Sequence, residues 1–183
     1  YDEVFSNQAK KLNYLPEDWA GDKQSVKQEL LKLPNGDLAW QKLQGRVYGP
    51  AMQNAVTFSG LASFLVRAKR RGHIIFIISH KTRFGHQDET KTPLRERALK
   101  WMEAQGFFDN SKFGLNIENI FFCDSRAEKA NKINDLKVDL FVDDLECVFE
   151  EKAFPKIKKI LFKSEPTESF DGISCKSWSE VAQ

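Results

Sequence analysis

Short apolar runs that end in polar residues constrain the fold of this chain more than any other feature. Three of them, with the polar residues that follow, are Ile74–Ile78 before Ser79, Ile120–Phe122 before Cys123 and Asp124, and Leu140–Val142 before Asp143 and Asp144. The first run is rich in β-branched residues and does not alternate with polar ones, which is typical of a strand buried on both faces of a parallel sheet. Segments with helical periodicity separate the runs. The sequence therefore predicts an α/β fold with a doubly wound parallel sheet and right-handed crossovers.

Local capping signals set the expected bounds of the intervening elements. Leu61, Phe64, Leu65 and Ala68 share one face of a helix that Gly72 ends. After a polar loop over 79–91, a second helix is capped by Thr92, has Pro93 at its first position and ends at Gly106. A third helix opens with the capping box Ser125–Glu128 and has Ala130, Ile133 and Leu136 inward. The remaining predicted elements are strands at 120–123, 139–142 and 160–162 and a helix over about 145–152.

Residues 1–55 differ in pattern from the rest of the chain. They combine helical spacing with breaks at Pro16, Gly21, Pro34-Asn35-Gly36 and Gly49-Pro50. We expect a helical region of a few short helices over 1–55 and an α/β core over 56–183.

The composition limits the classes of partner. Among 183 residues, 28 basic and 26 acidic side chains leave a net charge of +2, which gives no electrostatic case for a nucleic-acid or membrane partner. No apolar stretch is long enough to span a bilayer, and the first residues lack the charged and apolar regions of a signal peptide. The three widely spaced cysteines suit free thiols in a reducing compartment. We therefore expect a cytoplasmic protein.

The polar residues that follow the strands predict a phosphate site that uses a metal. Ligands of open parallel sheets bind outside the carboxyl ends of the strands, where Ser79, Asp143 and Asp144 are expected. The carboxylates of Asp143 and Asp144 follow an apolar strand, where like charges are poorly solvated and repel each other unless a cation is present. Oxygen ligands with few protein contacts suit Mg²⁺, which keeps several waters. The Ser79 hydroxyl and the backbone N–H groups that follow it can hold a phosphoryl oxygen. Lys129, one turn into a capped helix, can point back towards the strand ends.

Each of these residues taken singly also fits a helix cap or a solvated side chain, so the prediction depends on their order along the chain. That order, with the segments SHKT, TPLR, EKANKI and FVDDL, resembles motifs II, III and IV of the haloacid dehalogenase (HAD) superfamily. The resemblance covers residues 74 to about 162, roughly half of the chain. It implies a HAD-type core, with the N-terminal helical region in the place of a small C1-type cap.

The resemblance also implies a role for each residue. Ser79 would bind the transferring phosphoryl group, and Lys129 would neutralise the phosphate and the attacking carboxylate. Asp143 would be the Mg²⁺ ligand, with Asp144 assisting directly or through water. Lys132, deeper in the same helix, is an alternative to Lys129.

The function that the resemblance implies is a Mg²⁺-dependent phosphohydrolase acting on a small phosphorylated metabolite. Its nucleophile would be the first aspartate of motif I, Asp-x-Asp-x-Thr/Val, which forms an aspartyl-phosphate. That motif does not occur in residues 1–183, so we expect it on a strand upstream of Tyr1, and we expect a gap in the sheet between the motif II and motif IV strands. One alternative is a catalytically inactive HAD-like module used for binding. Another is a response-regulator-like or other flavodoxin-like domain, in which Asp143 and Asp144 would form a metal site for signalling. It is disfavoured because the acidic pair of such domains normally lies near the first strand.

Further candidates for substrate contacts follow the first predicted strand. His80, Lys81 and Arg83 belong to a basic loop that extends to His86 and can reach a substrate's phosphate or leaving group, although a solvated loop fits the sequence equally well. Asp124, at the end of the second strand, can bind a polar group of the substrate or orient a neighbouring residue, with a simple loop carboxylate as the alternative.

Overall fold

Strands and helices alternate along much of the chain, as the apolar runs predict. The computed structural model describes residues 1–85, 91–163 and 169–183. The helices in these residues are α1 (Asp2–Lys11), α2 (Lys23–Leu31), α3 (Gly36–Tyr48), α4 (Leu61–Arg70), α5 (Leu94–Ala104), α6 (Arg126–Asp135), α7 (Glu146–Phe149) and α8 (Trp178–Val181). The strands are β1 (Ile77–His80), β2 (Ile120–Cys123), β3 (Leu140–Asp143), β4 (Lys158–Phe162) and β5 (Ile173–Cys175). The named strands pair in parallel, so the prediction of a mixed α/β fold with parallel strands is confirmed.

The described residues form two compact units, of which the first is helical. It consists of Tyr1–Val56 and Thr82–Gln105, so it contains α1, α2, α3 and α5. The first three helices bury one apolar cluster, in which the ring of Phe5 stacks on that of Trp40 with centroids 5.1 Å apart. The expectation of a few short helices near the start of the chain is confirmed. Thr82–Gln105, which the sequence placed with the core, belongs to this first unit.

The second unit, Thr57–Lys81 with Gly106–Gln183, carries the strands in two separate sheets. In one sheet β1 pairs with β2, and in the other the order is β3-β4-β5. Both sheets contribute to one apolar cluster, with Ile78 from β1 and Phe141 from β3, and Ile133 of α6 is fully buried in the same cluster. Helix α6 therefore connects the two sheets by packing as well as by chain order.

Two helices follow the predicted pattern closely. In α4, Leu65 and Ala68 are buried, and Gly72 follows the helix with the positive φ of 72° that suits a glycine after a C-cap. In α6 the Ser125 hydroxyl accepts a hydrogen bond from the Glu128 N–H at 3.1 Å, as the predicted capping box requires, whereas the Glu128 carboxylate bonds the N–H of Asp124, one residue before the N-cap.

The bounds of the first strand were predicted wrongly. The strand was expected at 74–78 and buried on both faces, but it runs from Ile77 to His80, and Ile74 is 72% exposed. The reason is the partner strand: pairing begins with Ile77 opposite Ile120, because the segment before β2 is a 3-10 turn at Ile117–Asn119. Ser79 therefore lies within the strand, and the polar loop starts later than predicted.

The start of the helix at 94 also differs from the prediction. Pro93, and not Thr92, is its N-cap residue, and no side chain caps it. Thr92 is buried in the first unit, close to Gly49, and Pro93 forms an isolated antiparallel bridge with Phe84. The backbone of Pro93 therefore pairs with Phe84 of the preceding loop, and the N-cap position falls on Pro93, one residue after Thr92.

Smaller differences concern the last third of the chain. Strand β3 is displaced by one residue from the predicted 139–142, α7 ends at Phe149 where a helix to about residue 152 was predicted, and β4 is longer than predicted. Strand β5 and helix α8 were not predicted. No helix in 1–85, 91–163 or 169–183 has the length and apolar character needed to cross a bilayer.

Candidate functional site

A buried ion pair lies at the carboxyl end of β3. Along this strand Phe141 and Asp143 are buried and Leu140 is exposed, as the two-residue period of a strand requires. Asp143 is 7% exposed and Lys129 of α6 is 8% exposed. The Lys129 ammonium donates a hydrogen bond to Asp143 Oδ2. The structure thus brings together two of the residues that the sequence singled out.

The N-terminus of α6 determines where Lys129 lies. Ser125 caps the helix, and the Glu128 carboxylate accepts a hydrogen bond from the backbone N–H of Asp124 at 2.8 Å. These two contacts fix the first turn, so that Lys129 and Ala130 are buried while the charged residues before them are exposed. A lysine one turn into this helix is consequently directed at the end of the neighbouring strand.

Two further groups complete the surroundings of the pair. Asp143 Oδ1 accepts a hydrogen bond from the backbone N–H of Leu145 at 3.1 Å. The Lys129 Nζ lies 5.3 Å from the centroid of the Phe141 ring, within the range of a cation–π contact. The carboxylate is therefore hydrogen-bonded through both oxygens, and the ammonium lies between a carboxylate and an aromatic face.

Burial controls the protonation of Asp143. Loss of hydration raises the pKa of the Asp143 carboxyl above its usual value, and the neighbouring Asp144 carboxylate raises it further. The Lys129 ammonium and the Leu145 N–H oppose this shift, because both stabilise the charged form. The net direction is upward, because the loss of hydration outweighs the stabilisation that these two groups give to the charged form.

The donor set suits a magnesium ion that keeps several waters. Each oxygen of Asp143 already accepts a hydrogen bond within the protein, and the exposed Asp144 carboxylate follows directly in the chain. Mg²⁺ is commonly held by one or two carboxylates together with water and substrate phosphate. No group of three or more His, Cys, Asp or Glu side chains gathers in 1–85, 91–163 or 169–183, so a cage made entirely of protein ligands is not formed by these residues. Asp143 and Asp144 are therefore the two carboxylates that would hold such an ion, with water and substrate oxygens as its other ligands.

Ser79, His80 and Lys81 lie at the carboxyl end of β1, in the other sheet. Ser79 is half-buried and stands opposite Phe122, and the Lys81 N–H donates to the Cys123 carbonyl at 3.0 Å. The exposed His80 ring has Nε2 3.2 Å from the backbone carbonyl of Asp124. These predicted substrate-binding residues therefore follow one another at a single strand end, and the exposed Asp124 is next to them.

The remaining predicted residues lie elsewhere. Arg83 is exposed in the first unit, where its carbonyl accepts a hydrogen bond from the Leu94 N–H at 2.9 Å. His86, at the end of the predicted basic loop, lies outside the described residues. Lys132, the alternative to Lys129, has its ammonium 5.2 Å from the centroid of the Phe121 ring. Of the two lysines, Lys129 is the one that contacts Asp143.

Sequence reasoning missed two groups of this site. The apolar pattern predicts a strand at Phe141 but no contact of its ring with Lys129, and it predicts no role for the N–H of Leu145. The signal for Phe141 is its position two residues before Asp143, because residues at i and i+2 share one face of a strand. A hydrogen bond from the N–H two residues after an aspartate is an Asx turn, which is frequent where a strand ends.

Comparison with protein-family models, with curated proteins and with solved structures finds no match to this chain.

Proposed function

We propose that this chain is most of a Mg²⁺-dependent phosphohydrolase of the HAD type that acts on a small phosphorylated metabolite. The observation that carries the proposal is the buried Lys129–Asp143 pair at the carboxyl end of a parallel strand. Removing both charges from water is expensive, and apolar residues of similar volume often serve stability as well or better. A pair kept at a strand end, where ligands of parallel sheets bind, is better explained by a ligand that needs both charges.

The separation of the strands into two sheets supports a doubly wound HAD-type core. In the described residues β1 pairs with β2 and β3 pairs with β4. One additional strand between β1 and β3 would give a single parallel sheet with the order β2-β1-new strand-β3-β4-β5. The HAD resemblance places the motif I strand between those of motifs II and IV. We therefore propose that this strand, with the nucleophilic aspartate, precedes residue 1.

In this proposal each residue acts through its charge or its hydrogen bonds. The Ser79 hydroxyl binds a phosphoryl oxygen, and the Lys129 ammonium neutralises the phosphate and the attacking carboxylate. Asp143 and Asp144 hold the metal, which supplies charge stabilisation for an in-line displacement when bound. His80 and Lys81, which follow Ser79 at the same strand end, contact the leaving group.

The test uses the full-length protein, with the coding sequence upstream of residue 1 determined first. We expect an apolar strand that ends in Asp-x-Asp-x-Thr or Val. Phosphate release from a panel of phosphorylated metabolites should then depend on Mg²⁺ and fall by at least about 100-fold in Lys129→Met and in Asp143→Asn, since each removes a charge used in the transition state. The matched comparison is Lys132→Met, which removes a lysine ammonium from the same helix and should retain activity.

Two results would count against this proposal. Phosphate release that is insensitive to Lys129→Met and Asp143→Asn would show that the buried pair is not part of an active site. Mg²⁺-dependent binding of phosphorylated compounds without any turnover would instead favour a HAD-like module that binds but does not hydrolyse.

A further inference from the structure

The protein itself engages both carboxylate oxygens of Asp143. Oδ2 accepts from the Lys129 ammonium, and Oδ1 accepts from the Leu145 N–H at 3.1 Å. With Asp143 only 7% exposed, little of the carboxylate remains open to a second positive group. A divalent cation at Oδ2 would meet the ammonium at the same atom, and two like charges in contact in a partly dry site repel strongly.

The ammonium is also held from a second direction. Phe141 and Asp143 lie on one face of β3 because they are two residues apart, and the Lys129 Nζ is 5.3 Å from the Phe141 ring centroid. The strand thus presents a carboxylate and an aromatic face to the same side chain. Both contacts favour the position in which Lys129 covers Asp143.

We propose that Lys129 and a divalent cation compete for the Asp143 carboxylate, and that an oxyanion which attracts Lys129 opens this carboxylate to the cation. The inference rests on the proposed Mg²⁺ site but not on hydrolysis. It makes cation and phosphate binding cooperative, because phosphate takes over the ammonium that otherwise blocks Asp143. By linkage, the cation must raise the affinity for phosphate by the same factor.

Isothermal titration of Mg²⁺ into the full-length protein, with and without saturating inorganic phosphate, tests this coupling. In the wild-type protein phosphate should raise the Mg²⁺ affinity by about fivefold or more, the usual scale of a coupling between two sites. In Lys129→Met, Mg²⁺ should bind about tenfold more tightly than to the wild type in the absence of phosphate, and added phosphate should change little.

The comparison with Lys132→Met separates competition from a general charge effect. Lys132 is in the same helix, and its ammonium lies over Phe121, so this variant removes the same charge at a greater distance from Asp143. Its Mg²⁺ affinity and its response to phosphate should remain close to those of the wild type.

A second pair of variants covers the case in which Lys129→Met does not fold. Phe141→Leu keeps an apolar side chain but removes the aromatic face beside Lys129, so the ammonium is held less firmly and Mg²⁺ affinity without phosphate should rise. Phe121→Leu makes the same change beneath Lys132 and should leave Mg²⁺ affinity unchanged. Circular dichroism and thermal melting establish that each variant is folded.

The outcomes distinguish this inference from the proposed function. A Mg²⁺ affinity that Lys129→Met leaves unchanged or lowers overturns the competition, while loss of binding in Asp143→Asn still supports the metal site. Failure of Mg²⁺ to bind any of these proteins, with or without phosphate, overturns both the competition and the proposed metal site.

Discussion

At the residue scale, the Lys129–Asp143 pair combines a high energetic cost with good local geometry. Their side chains are 10% and 4% exposed, so both charges have lost most of their hydration. The carboxylate recovers two hydrogen bonds, and the ammonium gains an aromatic neighbour. Removing one partner measures the cost of an unpaired buried charge, and replacing both partners measures whether the pair stabilises the fold more than two apolar residues do.

We expect Lys129→Met to destabilise the full-length protein by about 3–5 kcal/mol, because it leaves the Asp143 charge buried without a partner. The double variant Lys129→Met/Asp143→Leu should recover most of this loss, since it replaces both charges with apolar side chains. Lys132→Met should cost less than about 1 kcal/mol, the size of an exposed cation–π contact. Urea unfolding at neutral pH measures all three free energies. A single variant no less stable than the double one would show that the buried charge is not isolated in this way.

The same pair predicts a dependence of stability on pH. Burial raises the folded-state pKa of Asp143, and Lys129→Met removes the group that opposes this most strongly, so the pKa rises further. For a raised folded-state pKa, the stabilising contribution is complete below the unfolded value of about 4 and is lost as pH rises through the folded pKa. The destabilisation caused by Lys129→Met should therefore be smallest near pH 4 and grow towards neutral pH, as measured by urea unfolding at several pH values.

A control for this pH dependence is the double variant Lys129→Met/Asp143→Asn, in which the carboxyl group is absent. Its unfolding free energy, relative to the wild type, should not show the growing loss between about pH 4 and neutrality. If single and double variants follow the same pH profile, another group is responsible.

At the scale of elements, two helices begin with the same arrangement but have different consequences. Ser125 caps α6 and Ser177 caps α8, and in each case a glutamate three residues later returns to a backbone N–H. Helix α6 spans ten residues and carries Lys129, whereas α8 has four residues at the end of the chain.

We expect Ser125→Ala to lower the free energy of unfolding by about 1 kcal/mol, the usual cost of losing an N-cap. Ser177→Ala should lower it by less, because a helix of only four residues can unfold locally without the rest of the unit. Urea unfolding followed by circular dichroism gives both values, and hydrogen exchange of the first turn of α6 shows whether the loss is local. An equal effect of the two substitutions would mean that α8 unfolds together with the sheet.

Elements with strong local signals were predictable from the sequence, and elements defined by their partners were not. Helix α4 has an apolar stripe and a glycine after its end, and α6 has a capping box, so short-range patterns specify both. Strand β1 begins where β2 offers a partner, which a run of isoleucines does not encode. Strand β5 has only three residues and is a strand because it pairs with β4.

The candidate site shows the same division. The position of Lys129 one turn into a capped helix indicated that it points towards the strand ends. The aromatic face of Phe141 beneath its ammonium depends on how α6 packs on β3, and no pattern within either segment specifies that packing. The contact between Lys129 and Asp143, 14 residues apart, joins two elements and so required the fold.

At the scale of the whole molecule, the second unit has its sheet in two pieces. In the described ranges β1 pairs with β2 and β3 with β4, and Ile78 and Phe141 come from the two sheets to one apolar cluster. A two-stranded sheet is marginally stable by itself, and open strand edges pair readily with other chains. The stability of this unit therefore depends on what lies along the edges of β1 and β3.

We predict that residues 1–183 expressed alone fold poorly and self-associate, because these edges remain open. Leu140→Lys places a charge on the edge strand β3 at a position that is 39% exposed, and it should reduce self-association without removing a core contact. Ile117→Lys is the matched control, since Ile117 is 54% exposed but lies in a 3-10 turn outside the strands. Light scattering and a thermal melt followed by circular dichroism provide the measurements.

The two substitutions distinguish association through the edge of β3 from non-specific association of exposed apolar side chains. If association proceeds through the strand edge, Leu140→Lys suppresses it and Ile117→Lys does not; if exposed apolar surface is the cause, both suppress it to a similar extent. A cooperative melt of residues 1–183 with full secondary structure and no association would contradict the prediction altogether. It would mean that the two sheets are stabilised well enough by α6 and their common apolar cluster, and the case for an additional strand between β1 and β3 would lose its structural support.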